Sequence, residues 1–359
     1  MTNRTRQGIR LAAALLIALA PGCDGDQGQR GPEPDASLSR DAAPDGDSAR
    51  EPRHPLDHLL RLNHIQVKGT HNSFHLVPDE LPVPDWDYSH APLAEQLAKQ
   101  GVRQVELDIH WHGEDASFHV YHIPLLDDRS TCDTLKQCLS EMLAWSLNNP
   151  DHAPLFVLIE PKDELDPDPI KGHYDDLDQE ILNVWPRNLI LTPDDARGDH
   201  PDLRTARLAE GWPTLARCRG KVIFQMLDSG KHRTAYLGEP PSLAGRLLFL
   251  RGGPDAPWGG FVEKSARPDT EEELRELALQ GFILRSSPDS VVPEEGAENE
   301  LKAEIARRAG VHIISTDVPA PVEGGYWFQL PDDAPARCNP VTAPPECTTE
   351  AVEDLTATR

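Results

Sequence analysis

The sequence predicts an α/β protein whose parallel strands close into a (β/α)8 barrel. Short apolar runs rich in β-branched residues alternate with stretches that carry apolar residues at helical spacing. This alternation is typical of a parallel sheet covered by helices. About eight such strands fit within one large domain, and this is the number that closes a barrel of this type.

The order of the predicted elements supports one continuous barrel. The predicted helices are Leu93–Gln100, Thr134–Leu147, Thr270–Gln280 and Asn299–Ala309. The segment Arg251–Arg267 is rich in glycine and proline and is predicted as a loop. The predicted strands are Ile65–Gly69, Val102–Asp108, Leu155–Glu160, Leu189–Leu191, Val222–Gln225, Leu247–Leu250, Phe282–Arg285 and His312–Thr316.

The N-terminal composition predicts export. A basic start precedes the apolar stretch Leu11–Ala20, so residues 1–23 are interpreted as a signal peptide, and this stretch is short for a permanent membrane span. Cys23 follows in a context that resembles a lipoprotein cleavage site, which leaves lipid anchoring to the bacterial cell envelope and simple secretion as alternatives. Residues 24–53 are predicted to be a disordered polar linker. Residues 54–350 form the predicted catalytic barrel, and residues 351–359 a C-terminal tail.

Charge and cysteine content argue against two classes of function, nucleic-acid binding and zinc binding. The formal net charge of -25 argues against a nucleic-acid partner. Export permits disulfides, and we predict the sequence-local pairs Cys132–Cys138 and Cys338–Cys347, although spacing alone does not fix connectivity. Cys218 is then left as a small buried side chain. No CxxC motif is present to suggest a zinc site.

Polar side chains follow successive predicted strands at the same end. In a barrel, the carboxyl ends of the strands share one mouth, where active sites lie. Glu106 and Asp108 stand at i and i+2, so they leave the same face of their strand. The residues that follow or close the other strands are His71, Asn72, Glu160, Arg285 and Asp317.

These residue types fit phosphodiester cleavage. Two histidines can serve acid–base catalysis, and His122 in the segment HVYHIPLLDD is a second candidate beside His71. Lys162 and Arg285 are candidate counterions for a substrate phosphate. His75, His110, His112 and His119 are alternative histidines for these roles. The oxygen donors that suit a hard cation, calcium or magnesium, are those of Asn72, Glu106, Asp108 and Glu160.

Five segments resemble the calcium-dependent phosphoinositide-specific phospholipase C family of bacteria and fungi. They read GTHNSFH, ELDIH, VYHIPLLDDRSTC, CLSEMLAWSLNNPDHAPLFVLIEPKD and RCNPVTAPPEC. The resemblance implies a distorted TIM (β/α)8 barrel in which the inositol 2-hydroxyl attacks phosphorus and expels diacylglycerol. It implies His71 and His122 as catalytic residues, and one calcium ion rather than magnesium on Asn72, Glu106, Asp108 and Glu160. The implied partner is a phosphoinositide lipid at a membrane surface. We also expect a monomer, and no transmembrane helix in the mature chain, because no segment beyond the signal is long and apolar enough.

Other functions remain as alternatives at this point. A glycerophosphodiester phosphodiesterase or a phospholipase D-like enzyme would share the barrel and the acidic pair. The former usually carries His-Arg-Gly after the first strand, where this chain has His71-Asn72-Ser73. A non-catalytic lipid-binding surface lipoprotein is a further alternative. A zinc hydrolase is disfavoured because the histidines between His110 and His122 lack the spacing of a helix-borne zinc motif.

Overall fold

The computed structural model describes residues 54–163, 168–287, 289, 291 and 296–353. The predicted signal peptide and linker, including Cys23, lie outside the described residues. Within the described ranges, no helix combines the length and apolar character that crossing a membrane requires.

The described chain alternates strands and helices. The helices are α1 Leu93–Lys99, α2 Leu135–Asn148, α3 Tyr174–Val184, α4 Pro193–Arg197, α5 Leu203–Ala209, α6 Leu215–Cys218, α7 Lys231–Leu237, α8 Glu271–Leu279, α9 Gly296–Arg308 and α10 Thr349–Val352. The strands are β1 Ile65–Thr70, β2 Gln104–His112, β3 Ser117–Val120, β4 Leu155–Pro161, β5 Val222–Met226, β6 Phe249–Leu250, β7 Phe261–Glu263, β8 Ile283–Ser286, β9 Ile313–Thr316 and β10 Ala336–Cys338.

Eight parallel strands form the barrel in the order β6-β5-β4-β2-β1-β9-β8-β7. A parallel bridge between Arg251 and Phe261 joins the end of β6 to β7 and closes the ring. Closure is uneven, because β6 has only two residues and β1 meets β2 at the single pair Gly69 and Gln104. Two antiparallel strands lie off this path, with β3 beside β2 and β10 beside β1. The predicted distorted TIM (β/α)8 barrel is therefore confirmed.

The core explains why β2 can carry charge. Val105, Leu107 and Ile109 alternate along β2 and pack in one apolar layer with Leu139 of α2 and Ile181 of α3. The residues between them leave the opposite face, toward the barrel interior. Burial of each large aliphatic side chain in that layer contributes about 1.5–3 kcal/mol. The outer layer therefore holds the strand in register while its inner face bears polar groups.

Two strand predictions are wrong, and their errors cancel in the strand count. The predicted strand Leu189–Leu191 is instead a 3-10 helix, Arg187–Leu189, followed by a lone bridge from Ile190 to Val222. Pro186 at the cap of that helix fixes a turn where an apolar triplet suggested extension. The sixth barrel strand is β7, inside the predicted loop Arg251–Arg267, and its three residues are too few to show a strand pattern.

The predicted disulfides Cys132–Cys138 and Cys338–Cys347 are confirmed, and Cys218 is free and buried as expected. The packed chain reaches at least to Glu353, three residues into the predicted C-terminal tail. Glu353 is buried and accepts hydrogen bonds from Arg103 at 3.0 and 3.2 Å.

Candidate active site and metal centre

Three carboxylates meet at the mouth of the barrel. Glu106 and Asp108 leave the inner face of β2, and the strand register pairs Asp108 with Glu160 of β4. One carboxylate oxygen from each of these residues lies within 4.8 Å of the other two. We call Glu106, Asp108 and Glu160 the acidic triad. Glu106 and Asp108 are fully buried, so their negative charge is not dispersed by water.

Asn72 occupies the turn after β1. This strand is paired with β2, which carries Glu106 and Asp108. The φ of Asn72 is 43°, a left-handed conformation that asparagine adopts more readily than most residues. The Ser73 backbone N–H donates to the Glu106 carbonyl at 3.0 Å, and the Ser73 hydroxyl accepts from the Glu106 N–H at 2.8 Å. Asn72 Oδ1 and Asp108 Oδ1 are buried without a hydrogen-bond donor in the described part of the chain. Orphaned buried oxygens of this kind fit the ligand set of a hard cation.

Lys162 pairs with two members of the acidic triad. Its Nζ lies 2.9 Å from Glu160 Oε1 and 3.3 Å from Asp108 Oδ2. Burial and repulsion from Glu160 raise the pKa of Asp108 well above its usual value. Burial would lower the pKa of Lys162, but the two carboxylates raise it instead. One ammonium group thus offsets only part of the negative charge at the mouth.

Arg285 of β8 pairs with Glu106, the third member of the acidic triad. Its guanidinium donates to Glu106, to Glu263 of β7 and to the Ser315 hydroxyl of β9. Burial raises the pKa of Glu106, and Arg285 works against that shift. Because Arg285 is nearly fully buried and bonded to three neighbours, it anchors Glu106 and ties β8 to three other strands.

His71 stands beside the acidic triad with a carboxylate behind it. Its Nδ1 donates to Asp317 Oδ1 at 2.8 Å, and its Nε2 lies 3.7 Å from Glu106 Oε1. Burial alone would lower the pKa of His71, but Asp317 and Glu106 overcome this and raise it to about 10. Asp289 holds Asp317 in turn, because its Oδ1 accepts the Asp317 backbone N–H at 3.0 Å. We call His71, Asp317 and Asp289 the His71 cluster.

His122 is held by a second carboxylate. Its Nδ1 donates to Asp127 Oδ2 at 2.7 Å, and Trp86 lies edge-on with ring centroids 5.5 Å apart. His75 Nε2 also contacts this carboxylate, at 2.9 Å from Oδ1 and 3.1 Å from Oδ2. Burial would raise the pKa of Asp127, but the bonds from His122 and His75 keep it below its usual range. We call His122, Asp127 and His75 the His122 cluster.

Tyr88 touches both clusters through different atoms. Its hydroxyl is hydrogen-bonded to the side chains of Asn72 and Asp317. Its carbonyl oxygen accepts from His75 Nδ1 at 3.1 Å, and its ring stacks on His75 with centroids 4.3 Å apart. The loop between β1 and α1 therefore connects the His71 and His122 clusters.

The remaining histidines of the region have other partners. His110 Nε2 donates to the Tyr121 carbonyl at 2.8 Å, and its ring stacks on Tyr121. His112 stacks on His119 with ring centroids 3.8 Å apart. His90 Nε2 donates to the His71 carbonyl at 2.9 Å and so supports the turn that carries His71.

The structure brings Glu106, Asp108, Glu160, Lys162, Arg285 and His71 into one set of contacts. Asn72 lies on the adjoining turn, and His122 reaches the same loop through Asp127 and His75. Sequence reasoning placed Asp317 at a strand end but gave it no role, named His75 only as an alternative acid–base histidine, and missed Asp127, Tyr88 and Asp289. Asp127 had a visible signal, since HIPLLDD places it five residues after His122. Tyr88, Asp289 and the contact of His75 with Asp127 depend on packing between loops that sequence spacing does not reveal.

The chain matches the family model described as phosphoinositide phospholipase C, Ca2+-dependent, over residues 60–115 and 112–340. No curated protein matches the chain significantly. A calcium-dependent phosphatidylinositol-specific phospholipase C from Streptomyces antibioticus is similar in structure, with a TM-score of 0.53 and 19% identity, covering 72% of this chain and 95% of the other. A calcium-dependent phosphoinositol-specific phospholipase C from a Pseudomonas species has a TM-score of 0.56 and 17% identity, covering 79% and 97%.

At these identities the structural likenesses support the barrel fold only. The family model, in contrast, spans most of the described barrel and includes both histidine clusters and the acidic triad. This chain therefore belongs to the calcium-dependent phosphoinositide phospholipase C family.

Proposed function

We propose that the protein cleaves phosphatidylinositol between phosphate and diacylglycerol, with His71 and His122 as its acid–base pair. The inositol 2-hydroxyl oxygen forms a bond to phosphorus, and its proton passes to one histidine. The bond from phosphorus to the diacylglycerol oxygen breaks, and that oxygen takes a proton from the other histidine. The products are diacylglycerol and inositol cyclic phosphate, and the two proton transfers leave the enzyme unchanged in charge.

One observation carries this proposal: two histidines, each fixed at Nδ1 by its own carboxylate, belong to loops that Tyr88 joins, and one of them borders the acidic triad. A histidine bonded at Nδ1 keeps Nε2 for proton transfer. Positioned proton transfer contributes on the order of 10²–10⁴-fold to such reactions. His71, nearest the triad, is assigned to the nucleophile and the transition-state oxygens, and His122 to the leaving oxygen.

The acidic triad and Asn72 are the proposed ligands of one calcium ion. Their donors are all oxygens, and two of these are buried without a hydrogen-bond donor in the described ranges. When bound, the ion would neutralise phosphoryl charge and lower the pKa of a coordinated hydroxyl. The chain itself supplies the fixed geometry, because Arg285 and Ser73 hold Glu106 while the strand register aligns Asp108 with Glu160.

Lys162 is the better placed of the two predicted phosphate ligands. Its side chain is 19% exposed at the mouth, whereas Arg285 is 5% exposed and bonded to Glu106, Glu263 and Ser315. We assign Lys162 to the substrate phosphate. The predicted phosphate contact of Arg285 requires it to exchange one of these bonds.

Exposed apolar side chains support action at a lipid surface. Leu125 and Leu126 lie between His122 and Asp127 and are 91% and 54% exposed, and Leu81 on the β1–α1 loop is also exposed. Apolar groups at a catalytic mouth are suited to contact with a bilayer. The disulfides agree with export. We propose that residues 1–23 direct it and that the barrel begins near residue 54, with Cys23 either lipidated or removed.

The direct test measures diacylglycerol release from phosphatidylinositol vesicles against free calcium. The wild type should be active with calcium and inactive in excess chelator, and His71→Ala and His122→Ala should each lose at least about 10²-fold in rate. His119→Ala is the matched control, because His119 is a partly exposed histidine on β3 that pairs with Asp115.

Product analysis separates the alternatives. Inositol cyclic phosphate together with diacylglycerol supports the proposed reaction, whereas glycerol 3-phosphate among the products supports a glycerophosphodiesterase. A folded protein that binds the vesicles without cleaving them would favour the lipid-binding alternative. Wild-type activity that is insensitive to chelation would contradict the calcium assignment.

A further inference from the structure

His75 is a buried histidine that the proposed reaction does not use, yet it is bonded to the carboxylate that holds His122. Asp127 is fully buried and receives His75 Nε2 on both oxygens and His122 Nδ1 on Oδ2. The segment that joins His122 to Asp127 is short. Asp127 N–H donates to the Ile123 carbonyl at 2.9 Å, and Ile123 N–H donates to the Asp127 carbonyl at 2.9 Å. The positions of His122 and Asp127 are therefore fixed together.

The hydrogen-bond partners of His75 indicate which of its ring nitrogens carry a hydrogen. The Tyr88 carbonyl oxygen can only accept a hydrogen bond, so His75 Nδ1 donates to it at 3.1 Å. The ionised Asp127 carboxylate can also only accept, so Nε2 donates as well. An imidazole that donates from both nitrogens carries a positive charge. This arrangement makes His75 a buried imidazolium that contacts both oxygens of Asp127, including Oδ2, which also accepts from His122.

Apart from Asp127, the hydrogen-bond and stacking partners of His75 within the described residues carry no negative charge. Its ring stacks on Tyr88, and its carbonyl accepts the His90 backbone N–H at 2.9 Å. His90 Nε2 is engaged by the His71 carbonyl, and burial lowers the pKa of His90 to about 4, so His90 is neutral at physiological pH. Asp127 is therefore the acidic partner of His75, and His122 shares it.

We propose that His75 is a positioning residue for His122, acting through Asp127. It locks the Asp127 carboxylate so that one oxygen accepts His122 Nδ1–H, and it neutralises that carboxylate so that His122 can release its proton as well as hold it. This inference rests on the proposed function, because it assigns a purpose to a neighbour of a proposed catalytic group. Histidine with a paired carboxylate alone would bind its proton more tightly.

The test compares His75→Gln with wild type in the pH profile of kcat/KM on phosphatidylinositol. Glutamine keeps one donor for Asp127 but removes the positive charge. We expect kcat to fall about 10–100-fold with KM changed less than about 2-fold, as for other residues that orient a catalytic group. The limb of the profile that reports His122 should move upward by about 1 pH unit, because the uncompensated carboxylate now stabilises the protonated ring.

Two further variants show whether the effect runs through Asp127. Because both residues act on His122 as one unit, His75→Gln combined with Asp127→Asn should cost little more than Asp127→Asn alone. His152→Gln is the matched control: His152 is also buried, but it lies on the loop before β4, bonded to Ser146 and Ala153. It should alter thermal stability without moving the pH profile.

The midpoint of a pH profile does not depend on how much of a preparation is folded, so partial misfolding of His75→Gln cannot produce the shift. An unshifted profile, or losses that add fully in the double variant, would overturn the role of His75. If His122→Ala keeps full activity, the proposed function itself fails, and this result is independent of the His75 measurements.

Discussion

The His71 and His122 clusters share one design, a histidine bonded at Nδ1 to a buried carboxylate, but they differ in what stands behind that carboxylate. Behind Asp317 lies a second acid, Asp289, which binds the Asp317 backbone N–H. Behind Asp127 lies His75, whose two ring nitrogens both face acceptors. The first cluster therefore concentrates negative charge, and the second balances it.

The charges of the two surroundings have chemical consequences. Burial, together with the nearby Asp317, raises the pKa of Asp289 to about 7, while Asp317 and Glu106 raise the pKa of His71 to about 10. A calcium ion at the triad would oppose the second shift, because it would offset the Glu106 charge. His71 and His122, whose surroundings differ in this way, are therefore suited to different halves of an acid–base reaction.

The clusters also differ in the exposed apolar side chains beside them. Leu125 and Leu126 protrude from the segment that connects His122 to Asp127, so the group assigned to the leaving oxygen lies on an apolar loop. Diacylglycerol is the apolar product, which suits departure on this side. The His71 cluster instead borders the acidic triad, which Lys162 contacts and where we propose that the polar headgroup binds.

The largest expected effects come from replacing, one at a time, the carboxylates that are bonded to His71 and His122. Asp317→Asn should lower kcat/KM by about 10³–10⁴-fold, the size seen when a histidine loses its ionised partner in a catalytic triad. His71 would then keep Glu106 alone as a nearby anion. Asp127→Asn should cost less, about 10–100-fold, because His75 already offsets part of the Asp127 charge that this substitution removes. Initial rates with phosphatidylinositol vesicles at saturating calcium measure both, and equal losses would contradict the distinction between the clusters.

The next effect concerns the triad, which contacts the His71 cluster through Glu106. Asp108→Asn should weaken calcium binding on the order of 100-fold, since affinity follows the number of charged ligands. The same change should raise the melting temperature in chelator. The folded-state pKa of Asp108 lies above its unfolded value, so the ionised carboxylate costs stability, and this cost grows as pH rises from the unfolded pKa.

Calorimetric calcium titration and thermal melting at neutral pH measure these two opposite changes. Asp128→Asn is the control, because Asp128 is an exposed acid on the loop after His122 and should change neither quantity. A melting temperature in chelator that falls for Asp108→Asn would contradict the charge repulsion inferred for the triad.

The sequence contained most of the site because strand geometry is local. Glu106 and Asp108 share a face by their spacing alone, and Glu160 lies at the carboxyl end of the next predicted strand, where the strands of a parallel barrel share one mouth. The disulfides were also predictable, because each joins cysteines that are six or nine residues apart. What remained hidden was set by contacts between distant segments.

The contacts that were not predicted show this limit. Glu263, a partner of Arg285, lies on β7, a strand of three residues that carries no period to detect. His75 reaches Asp127 across 52 residues, and Tyr88 joins them from a loop without regular structure. Which acid stands behind each histidine is decided by how loops pack, and residue spacing holds no information on that packing.

A smaller effect is expected at Tyr88, the residue that contacts both clusters. Tyr88→Phe removes the hydroxyl bonded to Asp317 and Asn72 but keeps the ring and carbonyl that contact His75. We expect kcat/KM to fall about 10-fold, the value of one hydrogen bond to a charged group. The pH-profile limb assigned to His122 should stay in place. A shift of that limb in Tyr88→Phe would mean that the clusters do not act independently.

The smallest expected effect tests the lipid-facing side of the His122 cluster. Leu125→Ser should lower the rate on phosphatidylinositol vesicles about 5-fold, because partial burial of a leucine in lipid contributes about 1 kcal/mol. The rate on a short-chain substrate below its micelle concentration should be unchanged, since no surface is bound there. Leu279→Ser is the control, because Leu279 on α8 is 61% exposed but belongs to neither cluster. Equal losses on both substrates would place Leu125 in the folding of the His122–Asp127 loop and remove it from contact with the bilayer.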